Sequence, residues 1–484
     1  MISNNNNESE INEDAELIEI QAKSEYIFAK LYAEIFNQDT FIFSGKTKTW
    51  YCYDEFNVLE DLGVANPFLL KNSISHHLTN YFEENPVDDN DKVLKMVGSS
   101  AFTENVMSFL KAFVVVKNLD EKIDTNTNLI AFNNGVLYDI ESDTYRSIEK
   151  TDYISKTMSI PYIENLDNEK IEEMNNIINS IFEDSEISNY FLKVLGLSLF
   201  TTKFEKLNIL TGNGRNGKSL LMNFLGSILK DYSTTAESDF LTSKMRNGIS
   251  CSLVKARNTR LLLLSEPSND NNQEMKLNNS LIKSITGNDE ITARALYKNT
   301  ETFKPTFNVF LLCNEIPNLE KVEYAMIERL NIIKFKLTFT TKSKLKQNPN
   351  NRLGDPDLKN RMSNDEKLKC AFMHILIETA VDNIKKPYKV PKQLIEFRQE
   401  YLEEIDIVKQ FLDESVIKTE NDKDRIKQTD LYNIFKSKSN SEMGIRDFTK
   451  SLERHGLIAA KMNDGRCFRK YRLKHIGDVD FSDD

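Results

Sequence analysis

"LNILTGNGRNGKSLL", residues 207–221, decides the fold. An apolar, strand-like run from Leu207 to Leu210 enters a turn rich in glycine and asparagine, and the amphipathic run "SLLMNFLGSILKDY" leaves it with helical spacing. Between them, Gly212-Asn213-Gly214-Arg215-Asn216-Gly217-Lys218-Ser219 fits G-x-x-x-x-G-K-[ST] without a mismatch. Glycines let backbone N–H groups turn inward around phosphate oxygens, where a side chain would collide. The N-terminus of the following helix adds the positive end of its dipole. Gly212 through Ser219, with Leu220, therefore form the candidate nucleotide-binding set. Lys218 is placed to reach the β- and γ-phosphates, and the Ser219 hydroxyl to ligate Mg²⁺, so ATP and Mg²⁺ are the expected cofactors. The loop by itself does not separate kinase, GTPase, helicase or packaging motor.

Two further strands carry the chemistry that a phosphate loop needs. "TRLLLLSEPSND" (259–270) has four consecutive leucines, the pattern of a strand buried on both faces. Ser265 and Glu266 close it, at the end where ligands bind in open α/β sheets. Glu266 is the carboxylate expected to polarise the attacking water and hold Mg²⁺. "FNVFLLCNEIPNLE" ends its apolar run at Asn314, whose amide could bond the water or the γ-phosphate; an asparagine there can also be a simple cap. From about 206 to 340, short strands alternate with helices, so the expected class is α/β with a mostly parallel sheet.

Composition bounds the alternatives. The 484 residues are 40% hydrophobic and 28% charged, with net charge −11, which suits about three soluble globular domains. No apolar run approaches the ~20 residues that span a bilayer, so no membrane partner is expected. The five cysteines and five histidines show no zinc-type spacing, and the cysteines read as thiols of a reducing, cytoplasmic compartment. An acidic chain argues against a general DNA coat but permits a local basic groove.

The motif set "GNGRNGKS", "LLLLSEP", "LIKSITGNDEITARALYKNTETFKPTFNVFLLCNEIP" and "AMIERLNIIKF" resembles the core of the superfamily 3 helicases. The similarity is to the branch that holds poxvirus-type primase–helicases and phage and plasmid relatives. "NLIAFNNGVLYDIESDTY" and "YFLKVLGLSLF" resemble that branch's lead-in, and "VPKQLIEFRQEYLEEIDIVKQFLDE" resembles the segment after its core. The resemblance covers about residues 125–415; the first hundred match only loosely. It implies a ring-forming AAA+ ATPase, a hexamer, that translocates on single-stranded or forked DNA, from a viral, phage or plasmid replicon and with a separate primase or polymerase as a further partner. Lys218, Ser219, Glu266 and Asn314 match its loop, acidic and sensor positions. Arg329 matches the arginine finger that reaches a neighbour's γ-phosphate, although a pair with Glu328 would be the commoner role for such a residue. Arg294 matches a recurrent, possible trans-acting arginine. Many members carry two acids where this chain has Ser265-Glu266. No "DxD" pattern on a strand marks a primase, so no primase activity is expected.

The expected organisation is an acidic, disordered lead-in (1–20), an N-terminal α+β domain (21–160), a helical, collar-like segment (161–205), the ATPase core (206–340), a helical extension and linker (341–395) and a winged-helix-like module (396–484). Within the N-terminal domain, Asn134-Gly135 signals a hairpin turn, and 340–360 reads as a loop. The hairpin "RALYKNTETFKPTFNVF" places Lys298 and Lys304 about a turn where they could meet DNA phosphates, with Glu301 at the tip. In the C-terminal module two helices precede a two-stranded hairpin bearing Lys461, Arg466, Arg469, Lys470 and Arg472, either a phosphate-binding patch or a solvating face. The leading function is a replicative DNA helicase that hydrolyses ATP at subunit interfaces. An origin-binding initiator or loader that remodels DNA without processive unwinding, and a monomeric P-loop kinase or ATPase, are the alternatives.

Overall fold

The computed structural model describes residues 25–64, 67–200, 204–241, 251–265, 276–294, 300–319, 323–386, 389–439, 443–462 and 465–474. The lead-in of residues 1–20, Glu266 and Lys298 lie outside them. At the centre stands a five-stranded sheet. Its strands are β1 (Leu207–Thr211), β2 (Ser233–Glu237), β3 (Leu261–Ser265), β4 (Asn308–Cys313) and β5 (Leu330–Lys334), in the order 5-1-4-3-2. All four pairings are parallel. From β1 the chain runs to the far edge, returns through β2, β3 and β4, then passes β1 to add β5. Strand ends beside such a reversal form a crevice.

The apolar runs are continuous because both faces are covered. In β3, Leu261 and Leu263 enter one core while Leu262 and Leu264 enter the other. The first face carries helix α1 (Lys218–Leu229) with the helices Asn168–Ile181, Ser185–Ser198 and Glu366–Asn383. The two helical segments flanking the five-stranded sheet in sequence thus meet in one layer. The second face carries Asn279–Thr286 and, through Tyr401 and Leu402, the helix Lys392–Ile405.

One polar row interrupts this core. Asn208 on β1 and Asn331 on β5 lie opposite each other, both buried. Asn331 Nδ2 donates to Asn208 Oδ1 at 2.7 Å, Asn208 Nδ2 donates to the Val309 carbonyl at 3.1 Å, and the Tyr190 hydroxyl donates to Asn331 Oδ1 at 2.9 Å. A one-residue slip of β5 would move Asn331 to the other face and leave the Asn208 oxygen without this donor, so the row sets register.

Ahead of the five-stranded sheet in sequence, the helices Phe68–Glu84 and Ser100–Val114 pack on a sheet that runs Leu59–Gly63, Trp50–Tyr53, Phe41–Ser44, Val115–Val116. A three-stranded antiparallel sheet follows (Leu129–Ala131, Val136–Asp139, Thr144–Ser147), with Gly135 at φ +78° in the expected turn. This region docks on the connection into β3. Arg257 Nη2 donates to the Asp120 carbonyl, Asn258 Nδ2 to the Ile123 carbonyl and Arg260 Nη2 to the Leu129 carbonyl, each at 3.0 Å.

Residues 340–360, expected to be a loop, contain the strand Asn351–Leu353, paired in parallel with Thr338–Thr340, and a 3₁₀ turn at Lys342–Gln347. Their asparagines and prolines hid the pairing that satisfies the backbone there. The C-terminal module also differs from expectation. Its hairpin Ala460–Met462/Gly465–Arg469 gains a third strand, Arg425–Lys427, from before the two helices Gln428–Ser439 and Ile445–Arg454. Phe411, Leu431, Phe435, Phe448, Leu452 and Phe468 form its core. No helix among the described residues is long and apolar enough to cross a membrane.

Candidate nucleotide site

The loop after β1 is shaped by what stands behind it. The Phe335 N–H donates to the Thr211 carbonyl at 2.8 Å, and the Phe339 N–H to the Arg215 carbonyl at 2.7 Å. The segment leaving β5 therefore holds the loop at its start and at its middle. Gly212 has φ +151°, and a Cβ there would stand 2.3 Å from the Phe335 carbonyl oxygen. Gly217, at φ +83°, lies against Ile181, 3.0 Å from where its Cβ would be. Gly214 has nothing within 4 Å of that position, and Asn213, Gly214 and Arg215 are exposed. The closed side of the loop faces the protein and the open side faces solvent.

Lys218 opens helix α1 and is only 4% exposed. Its Nζ donates to the Cys313 carbonyl at 2.6 Å, Asn314 Oδ1 at 3.2 Å and the Gly212 carbonyl at 3.3 Å. The register explains the meeting: Cys313 on β4 lies opposite Thr211 on β1, so the next residue, Asn314, arrives beside the loop. The Thr211 hydroxyl donates to the Asn314 carbonyl at 2.9 Å and fixes that junction. Ser219 is exposed in the first turn of α1, and Leu220 is half-buried.

The remaining candidates are distributed around this pair. β3 ends at exposed Ser265 with β4 between it and β1; Glu266 follows outside the described residues. Arg329 sits at the other end of the sheet, where its carbonyl accepts from the Leu207 N–H at 2.7 Å. The length of β1 puts it about 15 Å from its own loop. Its guanidinium lies 3.9 Å from Glu205 rather than on Glu328, which pairs with Arg398 at 3.6 Å. Among the described residues its Nε has no partner. Burial pushes the neighbouring Lys206 ammonium below the usual lysine range.

Arg294 ends a strand, Ile291–Arg294, paired with Thr300–Phe303; residues 295–299, including Lys298, lie outside the described residues. Lys304 follows Phe303, which pairs with Ile291 at the base, so it does not flank the turn. Glu301 is within the strand and pairs with Arg257 at 3.1 Å instead of occupying the tip. In the C-terminal module, Lys461 lies directly across from Arg466, and Arg469 across from Arg425, with all four exposed. Lys470 lies 3.5 Å from Asp422, and Arg472 is half-buried on the last strand.

Sequence reasoning missed the Phe335–Phe339 clasp and the Cys313 carbonyl, because backbone groups leave no residue-type signal. It also missed a cavity of about 910 Å³ beside the loop, bounded by Ile177, Ile181, Gly217, Leu220, Phe339 and Leu358. Its walls come from segments far apart in sequence.

Comparison with known proteins adds lineage. Residues 25–183 match a family described as D5 N terminal like, and residues 210–329 match a family of unknown function, DUF5906. The lead-in likeness therefore reaches back to residue 25, well before the start near residue 125 expected from the motifs. A putative helicase of Acanthamoeba polyphaga mimivirus is 29% identical over 441 residues, 84% of this chain and 45% of that protein. A putative helicase of invertebrate iridescent virus 3 is 27% identical over 72% of this chain and 39% of its own length. A putative primase of African swine fever virus is 23% identical over 63% of this chain and 32% of its own length. The chain thus spans less than half the length of these relatives. A solved structure of the NrS-1 C-terminal region aligns over 93% of this chain and 99% of its own, with TM-score 0.45 and 13% identity.

Proposed function

This chain is a relative of the viral primase–helicase-type proteins, and we propose that it is an ATP-dependent DNA helicase of replication. The observation that carries the reading is the junction of Lys218 with Asn314: the ammonium of the phosphate loop and the amide of the neighbouring strand end meet at 3.2 Å. That puts a cation for the triphosphate and a hydrogen-bonding group for the attacking water at one crevice.

The triphosphate occupies the open side of the loop over Gly214, and the cavity along Ile177, Leu220 and Phe339 receives the nucleoside. Its mainly apolar walls suit a base, and its volume exceeds what a nucleoside needs. Lys218 exchanges backbone carbonyls for phosphate oxygens, a gain in charge complementarity. Mg²⁺ keeps several waters and takes few protein ligands alongside substrate phosphates. The exposed Ser219 hydroxyl and the carboxylate of Glu266 suit such an ion, which neutralises phosphate charge. Glu266 orients the water and Asn314 senses the γ-phosphate.

Arg329, too far to serve its own loop, faces the nucleotide of a neighbouring copy, which makes the working form a ring, hexameric in this reading. Arg294 stands as a second trans-acting arginine. Lys298 and Lys304 of the hairpin, and Lys461, Arg466, Arg469, Lys470 and Arg472 of the winged-helix-like module, contact DNA phosphates. Like charges directly opposite across a sheet repel, and an anionic backbone laid over them relieves that cost.

The test is ATP turnover and unwinding of a forked duplex by the whole chain, with Lys218→Ala as the control. The expected result is DNA-stimulated turnover and strand separation, both lost in the variant. Turnover that survives Lys218→Ala overturns the site. Turnover without unwinding favours a remodelling initiator instead.

A further inference from the structure

An acidic side chain sits on the hairpin that the proposed function turns toward DNA. Glu301 lies within the strand Thr300–Phe303, opposite Ala293 and three residues before Lys304. A carboxylate so close to a phosphate-binding lysine repels the same phosphates, so its presence there calls for a reason. Its partner supplies one. Glu301 Oε2 accepts from Arg257 Nη1 at 3.1 Å, and the same guanidinium donates through Nη2 to the Asp120 carbonyl at 3.0 Å. Arg257 stands in the turn between the helix Cys251–Lys255 and β3. Leu253 of that helix shares a core with Ile291, Ala293 and Phe303 of the hairpin. Asp120 is buried and pinned in its turn: its carboxylate accepts from the Ser44 hydroxyl at 3.0 Å and from the Thr47 hydroxyl at 3.2 Å. One guanidinium thus joins the hairpin to the region before residue 160.

We infer that Arg257 is a positioning residue for DNA-dependent turnover: it anchors the hairpin, through Glu301, to Asp120 of the N-terminal region, so that DNA held by the hairpin acts against a fixed support. This rests on the reading of the hairpin as a DNA contact, and it gives the N-terminal region a part in that contact. The role needs an arginine. Its planar fork directs separate donors at two acceptors from different segments, whereas a lysine offers a single nitrogen. The ion pair is about one-third exposed, at 34% for Arg257 and 37% for Glu301. A pair so placed contributes little to folding, so breaking it removes the support of the hairpin and leaves the chain folded.

The experiment measures ATP turnover with and without a forked DNA duplex, together with the melting temperature, for the unaltered chain, Arg257→Lys and Glu301→Ala. Turnover without DNA and the melting temperature should match those of the unaltered chain. Stimulation by DNA should fall about two- to fivefold in both variants, the loss of one exposed ion pair expressed as a ratio. Each variant separates the anchor from a purely electrostatic role. Arg257→Lys keeps the positive charge beside Glu301, and Glu301→Ala takes a negative charge off the hairpin. If charge alone mattered, DNA would stimulate the first as before and the second more strongly; either result overturns the inference. So does a joint fall in melting temperature and DNA-free turnover, which would make this a folding contact alone. If DNA does not stimulate the unaltered chain, the helicase reading falls with it; if stimulation is lost in Lys304→Ala but kept in both variants, only this inference falls.

Discussion

Gly212 and Gly214 stand two residues apart in one loop and meet different surroundings in the structure. At Gly212 a methyl group would meet the Phe335 carbonyl at 2.3 Å, in a backbone conformation that L-residues rarely adopt. Backbone cannot yield as a flexible side chain can, so Gly212→Ala should cost ~1–3 kcal/mol of stability and distort the loop. Gly214→Ala meets nothing within 4 Å and should leave the melting temperature unchanged. Its effect, if any, should appear only in nucleotide affinity, since its open side is where phosphates would lie. Thermal melts of the two ligand-free variants check this; equal melting temperatures would contradict the geometry. The motif fixes Gly212 and leaves Gly214 unspecified, but the spacing alone could not say that Gly212 is clasped by the chain leaving β5.

At the level of elements, the joint between the region before residue 160 and the five-stranded sheet turns on Arg260. The residue is fully buried at the entrance to β3 and stacks over the Tyr232 ring at 5.6 Å. Its Nη2 holds the Leu129 carbonyl at 3.0 Å, whereas Nε and Nη1 find no partner among the described residues. Burial lowers its affinity for its proton. A buried cation with incomplete hydrogen bonding contributes little net stability, but cutting it back leaves a cavity and frees buried carbonyls. Arg260→Ala should destabilise the chain by ~2–4 kcal/mol, and Arg260→Met, which keeps most of the volume, by clearly less. Urea titrations report both. An alanine variant within ~0.5 kcal/mol of the unaltered chain would show that the joint rests on other contacts. The four-leucine run after Arg260 was readable as a strand buried on both faces. The arginine ahead of it carried no signal, because its partners are backbone carbonyls more than a hundred residues earlier.

For the whole molecule, the question is whether one copy suffices. Arg329 stands at the end of the sheet opposite its own loop. If it completes a neighbour's site, Arg329→Ala protein should bind ATP normally yet turn it over at least tenfold more slowly, the scale at which arginine fingers act. Mixed with unaltered protein, it should depress turnover by more than dilution accounts for. Linear dilution, or full activity in the variant, would indicate a site complete within one chain. The relatives are at least twice the length matched here, so partners supplied by their remaining regions belong to the same test when longer forms are compared.

The sequence by itself determined the local elements that a single stretch of chain can specify: the strand, loop and helix around Lys218, the doubly buried β3, and the Asn-Gly turn at Gly135. Each is written in residue types at fixed short spacing, where sterics and hydrophobic periodicity act directly. Only the tertiary structure decided what those elements meet. It brought Asn314 to Lys218 through parallel register, closed the loop with backbone N–H groups from the end of β5, built a cavity from segments far apart in sequence, and moved Glu301 from a turn into a strand. Among the described residues, it also left the Asn216 amide donor without an acceptor. Register, backbone donors and surface clefts arise from distant segments held at ångström distances, and hydrophobic pattern does not encode distance.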